Sequence, residues 1–170
     1  GLELRLEIGP PVSENVERIV QLFNKTNQFN LTTKRYGREE VINLLADANA
    51  EVIIAQLSDR FGDYGLIAVA VLRHDEETTK IDSLLMSCRA LGRNVEEALI
   101  AFIEERARAR GARRLVGFYH ATAKNELVAD LYPRFGLIWD HNNTKFVRDL
   151  QKQTRMSYPP AVRIEKTSEE

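Results

Sequence analysis

The sequence predicts an α/β (α+β) domain in which a mixed, mostly antiparallel sheet carries helices on both faces. Three apolar stretches, 51–57, 64–73 and 80–88, are separated by the short polar links 59–63 and 74–77, and so read as antiparallel neighbours. A long amphipathic helix follows, and beyond it strand and helix alternate. Antiparallel strands feeding a strand-helix-strand unit require one mixed sheet covered on two sides.

Taken in order, Pro10-Pro11 precede Ser13, an N-cap residue, and Val16, Ile19, Val20 and Phe23 follow at helical spacing, predicting a helix over 13–25. Residues 24–33 are rich in Asn and Thr, whose side chains compete for backbone partners, and read as a loop. Val41, Ile42, Leu44 and Leu45 give a second, short helix over 38–46 its apolar side. After the three strands, Val95, Ala98, Leu99, Phe102, Ile103 and Ala107 set a helix over 94–110, with Gly111 where a left-handed cap is wanted. A strand over 114–119, a helix over 125–134 stopped before Gly136, and a hairpin of 138–139 with 145–150 complete a domain spanning 1–150. Residues 151–170 turn polar around Tyr158-Pro159-Pro160, end acidic, and read as a weakly ordered tail or a linker.

The 170 residues, 44% hydrophobic and 29% charged, fit a single domain. A net charge of -1 excludes a globally basic nucleic-acid binder, so no nucleic-acid partner is expected. No apolar run approaches the roughly 18 residues of a spanning helix, and Gly1-Leu2-Glu3-Leu4-Arg5 is no leader; no membrane is expected. The lone Cys88 makes an intrachain disulfide impossible and a reducing cytoplasm the expected compartment. With only His74, His120 and His141 beside it there is no zinc spacing, and no metal is expected. The missing initiator Met suggests a piece of a longer polypeptide, with processing or a cloning scar as the alternative.

Residues 87–96 join a strand to the start of the long helix, where backbone N–H groups without intrahelical partners and the positive end of the helix dipole hold phosphate oxygens. Gly92 would allow close approach; ordinary helix capping is the alternative. Cys88 sits beside Arg89 and before a helix start, surroundings that favour thiolate, although a lone Cys in a strand is also a small buried hydrophobe. By strand period Asp82 shares a face with Leu84 and Met86, which makes it a general-base candidate if inward and a surface acid if outward. Arg106, Arg108, Arg110, Arg113 and Arg114 form a basic run that is either a solvated face or a dock for an acidic partner.

Arg89-x-x-Gly92-x-Asn94 resembles the Arg/Gln-x-x-Gly-x-Gly/Ala signature of the GNAT acyltransferases, with Asn94 where that family has Gly or Ala. Asn125, Ala129, Leu131-Tyr132 and Phe135-Gly136-Leu137 are similar to the family's later turn, helix and aromatic-Gly pair. The resemblance implies a GNAT-like sheet. It also implies that Cys88, Arg89, Leu91, Gly92, Arg93, Asn94 and Asn125 bind the cofactor, CoA or carrier-protein phosphopantetheine, with the amides after Cys88 and the Arg89 guanidinium on its phosphate. It places Tyr132 where the family's Tyr protonates a departing thiolate; a core Tyr on the stripe Leu127, Val128, Leu131 and Phe135 is the alternative. A longer resemblance, over 21–33, 81–93 and 122–125, is to the C-terminal half of FkbH-like proteins, whose N-terminal HAD-type domain this chain lacks. That family is associated with making glyceryl-acyl-carrier-protein in polyketide pathways. The resemblance therefore implies an acyl carrier protein and a HAD-type domain of the parent polypeptide as partners.

Within that reading Cys88, Asp82 and Tyr132 are the catalytic candidates. Asn27, Gln28, Asn30, Thr32 and Thr33 would bind the hydroxyls of a glyceryl group or, alternatively, close the loop on itself, with His120 as a rim residue. Asn94 and Pro133 favour a non-catalytic interaction module. An acetyl-CoA-dependent N-acetyltransferase is the third reading.

Overall fold

The chain was analysed as a computed structural model that describes residues 3–168, so the readings at Gly1, Leu2, Glu169 and Glu170 lie outside the described residues. Its strands are β1 (Leu4–Gly9), β2 (Ala50–Asp59), β3 (Gly62–Asp75), β4 (Thr78–Met86), β5 (Arg114–Gly117), β6 (Ile138–Asp140), β7 (Lys145–Asp149) and β8 (Val162–Lys166). Its helices are α1 (Val16–Lys25), α2 (Arg38–Ala46), α3 (Val95–Ala109) and α4 (Leu131–Arg134). One sheet runs in the order β6-β7-β5-β4-β3-β2-β1-β8. The pairs β4/β5 and β1/β8 are parallel and the other five are antiparallel, as the mixed, mostly antiparallel expectation required.

Alternation along the central strands sorts side chains to two cores. Val69 and Val71 of β3 join Val52 and Ile54 against α1 and α2, whose Val16, Ile19, Leu22, Phe23, Val41 and Leu44 are buried there. Ala68, Ala70 and Leu72 face the other way, onto the stripe Val95, Ala98, Leu99, Phe102 and Ile103 of α3 and onto Val128, Leu131 and Tyr132. The β2–β3 turn closes because Asp59 Oδ1 accepts the N–H groups of Phe61 (2.8 Å) and Gly62 (3.1 Å). Gly111 takes a φ of 80°, with the Gly111 N–H on Arg108 O and the Ala112 N–H on Ala107 O, the left-handed cap expected there.

The predicted helix over 125–134 is broken. A 3-10 turn occupies Glu126–Val128, and α4 starts afresh at Leu131. Pro133 is the reason: inside a continuous helix its ring would clash with the carbonyl of Ala129, whereas in the first turn of α4 its missing N–H costs nothing. The predicted 114–119 strand ends at Gly117.

Both terminal segments, unread as strands, belong to the sheet. β1 alternates Leu4, Leu6 and Ile8 with Arg5 and Glu7, pairs antiparallel with β2, and takes β8 alongside in the register Leu4↔Val162 to Ile8↔Lys166. Residues 162–166 are therefore an edge strand rather than part of a weakly ordered tail. The segment before β8 is tied down as well: Arg148 Nη2 donates to Thr154 O (2.8 Å), and the Met156 N–H donates to Glu104 Oε2 (2.6 Å).

Candidate functional site

β4 and β5 pair in parallel only from Thr78↔Arg114 to Ile81↔Gly117, and then separate. β4 continues to Met86, so the two strands form a fork open toward the turn that precedes α3. In that turn Ser87 leads a 3-10 segment, Cys88–Ala90, and Gly92 (φ 74°) and Asn94 (φ 64°) are both left-handed, Asn94 serving as the N-cap of α3. Glycine and asparagine are the residues that take this conformation at least cost. Cys88, Arg89, Gly92 and Asn94 are exposed. Ordinary burial of Cys88 as a small hydrophobe is thereby excluded, and its Sγ lies 3.6 Å from Gln28 Oε1. Arg93 turns aside: its guanidinium stacks on the Tyr64 ring at 4.7 Å and lies 3.6 Å from Asp59 Oδ2. Leu91 packs half-buried against the α3-side core.

The fork is filled by the loop between α1 and α2. The Leu31 N–H donates to Leu84 O (3.1 Å) and the Met86 N–H donates to Phe29 O (3.0 Å), so Phe29–Leu31 run antiparallel to the free edge of β4. On the other side the His120 N–H donates to Leu31 O (2.8 Å). Phe29, Asn30 and Leu31 are buried. Asn125, also buried, pins the arrangement: its Nδ2 donates to Asn30 O and His120 O, each at 2.9 Å, while its Oδ1 accepts the Thr122 N–H at 2.8 Å.

The polar side chains of the loop close it on itself. Asn30 Nδ2 donates to Thr26 O and Asn30 Oδ1 accepts the Thr33 N–H; Thr32 Oγ1 donates to Asp82 O at 3.0 Å; Thr33, at φ 57°, donates its Oγ1 to Thr32 O. Arg35 caps the carboxyl end of α1 by donating to Phe23 O and Thr26 O, and to Asn27 Oδ1. Of the five loop residues named as hydroxyl binders, Gln28 alone stands exposed, beside Cys88. His120 is exposed at the rim.

Asp82 does not share a face with Leu84 and Met86. Val71 pairs with Ser83 but Leu72 pairs with Ile81, which leaves Asp82 as the extra residue of a β-bulge. Leu84 and Met86 pack toward α3, whereas the Asp82 carboxylate meets Tyr36, which packs on the α1 side. It accepts hydrogen bonds from Lys34 Nζ (2.5 Å) and Tyr36 Oη (2.6 Å), with the Arg73 Nε 3.9 Å away. Burial pushes this carboxyl up, but the bonds from Lys34 and Tyr36 and the charges of Lys34 and Arg73 outweigh it and hold it below the usual carboxylate range. A general base of raised pKa is thus replaced by an ionised anchor for the loop. Sequence reasoning missed Lys34, Tyr36 and Arg73, because no spacing links them to Asp82.

Tyr132 lies in the α3-side core, 1% exposed, with its ring against Gly117, where any Cβ would come within 2.7 Å of it. Among the described residues its hydroxyl has no hydrogen-bond partner, and burial drives its pKa far above the usual phenol range.

A family-model search and a search of curated proteins give no match. Solved structures do match. The GNAT domain of S. lividans PAT superposes with a TM-score of 0.65 at 16% identity, covering 84% of this chain and 89% of that one. PaiA N-acetyltransferase from Thermoplasma acidophilum, in complex with coenzyme A, gives 0.65 at 13% over 84% and 96%. The fold is that of the GNAT N-acetyltransferases. Aminoglycoside acetyltransferase AAC(6')-Ib, also in complex with coenzyme A, gives 0.63 at 13% over 86% and 95%.

On this GNAT fold the turn and the fork meet at one end of the sheet. Two cavities, of about 520 and 610 Å³, lie elsewhere, and none of the residues named above as candidates for catalysis or for cofactor or substrate binding lines them. Among the described residues no helix is long and apolar enough to cross a membrane, and no three His, Cys, Asp or Glu side chains form a metal-holding group. The basic run at the end of α3 is held by the protein's own groups: Arg106 and Arg110 by Glu51, Arg108 by Leu150 O, and Arg113 and Arg114 by Glu77.

Proposed function

We propose that this chain handles acyl groups as thioesters of phosphopantetheine, carried by an acyl carrier protein or by CoA, and assists glyceryl or related acyl transfer. The observation that carries the reading is the exposed turn at the amino end of the 15-residue α3, where left-handed Gly92 and Asn94 stand beside Arg89. The first N–H groups of such a helix have no intrahelical partners and favour phosphate, so the residues present fit the phosphate end of the group. Solved GNAT structures that hold coenzyme A, PaiA and AAC(6')-Ib among them, support it. The resemblance of 21–33 and 81–93 to FkbH-like proteins favours a carrier protein as donor and a HAD-type domain as neighbour.

Cys88 is the nucleophile of this reading, because its exposed thiol stands at the turn while Asp82 is engaged with Lys34 and Tyr36. Its thiolate, formed by losing a proton to solvent, attacks the thioester carbonyl. A new thioester forms on Sγ, the donor C–S bond breaks, and the departing thiolate takes a proton from water. A second reading, a non-catalytic docking module, is favoured by one observation: Phe29–Leu31 already pair with the β4 edge inside the fork. Calorimetric titration with acetyl-CoA, CoA and a pantetheinylated acyl carrier protein tests both. The thioester reading expects the carrier protein to bind and Cys88→Ala to abolish thioester transfer with the fold intact. CoA binding alone would point to an acetyltransferase, and silence from all three to the docking module.

A further inference from the structure

The structure points to a self-occupied site: we infer that Phe29–Leu31 and a pantetheine arm compete for the same backbone edge of β4, so that the arm enters only when this segment leaves. The inference rests on the thioester reading above. A pantetheine arm is an extended chain with two amide groups, and the fork between the parting strands β4 and β5 opens toward the Cys88–Asn94 turn, where the phosphate end of the proposed group would sit. Extended ligands pair with a free strand edge through main-chain hydrogen bonds. The free groups that such pairing would use, Leu84 O and Met86 N–H, are taken by Leu31 N–H and Phe29 O.

The occupant behaves as an intrachain strand rather than a passing loop. Phe29 and Leu31 belong to the α3-side core, and their backbone is bonded on both sides, to β4 and to His120. The chain that follows is latched to β4 by Thr32 on the Asp82 carbonyl and by Lys34 and Tyr36 on the Asp82 carboxylate. Release of 29–31 therefore requires that the 32–36 latch yield. The apparent affinity for the arm is then the intrinsic affinity reduced by the fraction of chains whose segment is out. Weakening the latch at Lys34 and Tyr36, which hold the Asp82 carboxylate and bond neither the turn nor the Leu84 and Met86 backbone groups, raises that fraction.

The test combines hydrogen exchange and CoA titration on the full chain, wild type and the Lys34→Ala/Tyr36→Phe variant. The expected result is that saturating CoA speeds exchange of the Leu31 amide at least about tenfold while the Met86 amide stays protected by its new partner. The variant is expected to bind CoA on the order of tenfold more tightly than wild type. Binding seen in the variant but not in wild type supports the inference equally. If CoA saturates wild type with the Leu31 amide unchanged, the competition is overturned, and the thioester reading stands where the pantetheinylated carrier protein binds as well. Should neither protein bind CoA or a pantetheinylated carrier protein, both fall together. Where wild type binds CoA, its exchange arm decides the matter even if the variant folds poorly.

Discussion

Tyr132 places its hydroxyl in the α3-side core, where no group of the described residues hydrogen-bonds it. A buried hydroxyl without a partner costs about 1–3 kcal/mol relative to one in water. Tyr132→Phe keeps the ring on Gly117 and against Phe146 while removing that cost. It should therefore raise the unfolding free energy by about 1 kcal/mol, read as a higher urea midpoint at unchanged slope. Loss of thioester transfer in this stabilised variant would assign the hydroxyl a chemical task, since destabilisation could not explain it. Asp82 teaches the complementary lesson at the same scale. Its residue type marked it as a candidate, but one extra residue in the β3–β4 pairing reversed the face it occupies, and no strand-period argument can see a bulge.

At the scale of elements, Glu51 joins three of them. From β2 it accepts His74 Nε2 of β3 at 2.8 Å and Arg106 Nε of α3 at 2.9 Å, and burial leaves its side chain 18% exposed. That burial pushes the carboxyl up, but the bonds from His74 and Arg106 prevail and hold it down to about 2. The folded value lies below the unfolded one, so the contribution is complete above about pH 4.5 and is lost as pH falls through about 2. Glu51→Gln should lower stability at pH 7 by roughly 3 kcal/mol at most and flatten the acid limb of a stability-versus-pH curve. Equal acid limbs in the two proteins would contradict the clamp. The loop over 24–33 is the element whose nature changed most on folding. Phe29-Asn30-Leu31-Thr32 alternates apolar and polar, a strand signal too short to outweigh the Asn and Thr around it. Only the parting of β4 from β5 creates an edge for it.

For the whole molecule, the segment after β7 is held by a buried charge network. Glu104 and Arg148 are both buried, with Oε1 and Nε 2.7 Å apart, and each also binds the backbone of 154–156. Removing one charge strands the other. Glu104→Gln should cost about 3–5 kcal/mol, and amides of 151–168 should lose exchange protection before those of β3 and β4. Simultaneous loss across the sheet would mean that the C-terminal segment is no separate unit. The strand character of 162–166 was written in its Val-Arg-Ile-Glu alternation, yet a strand beside β1 at the opposite end of the chain is not foreseeable from local pattern.

By itself, the sequence determined what depends on near neighbours: the apolar stripes of α1 and α3, the strand-turn-strand run of β2 to β4, the left-handed cap at Gly111, and the turn before α3. These follow from periods of two and 3.6 and from residue types that tolerate particular backbone angles. The tertiary structure decided which face Asp82 occupies, that the Tyr132 hydroxyl is buried, and that Phe29–Leu31 fill the fork. Each of these turns on which backbone edge meets which across long stretches of chain. Such meetings are settled by sheet register and packing volume, and residue order expresses those only after the chain has folded.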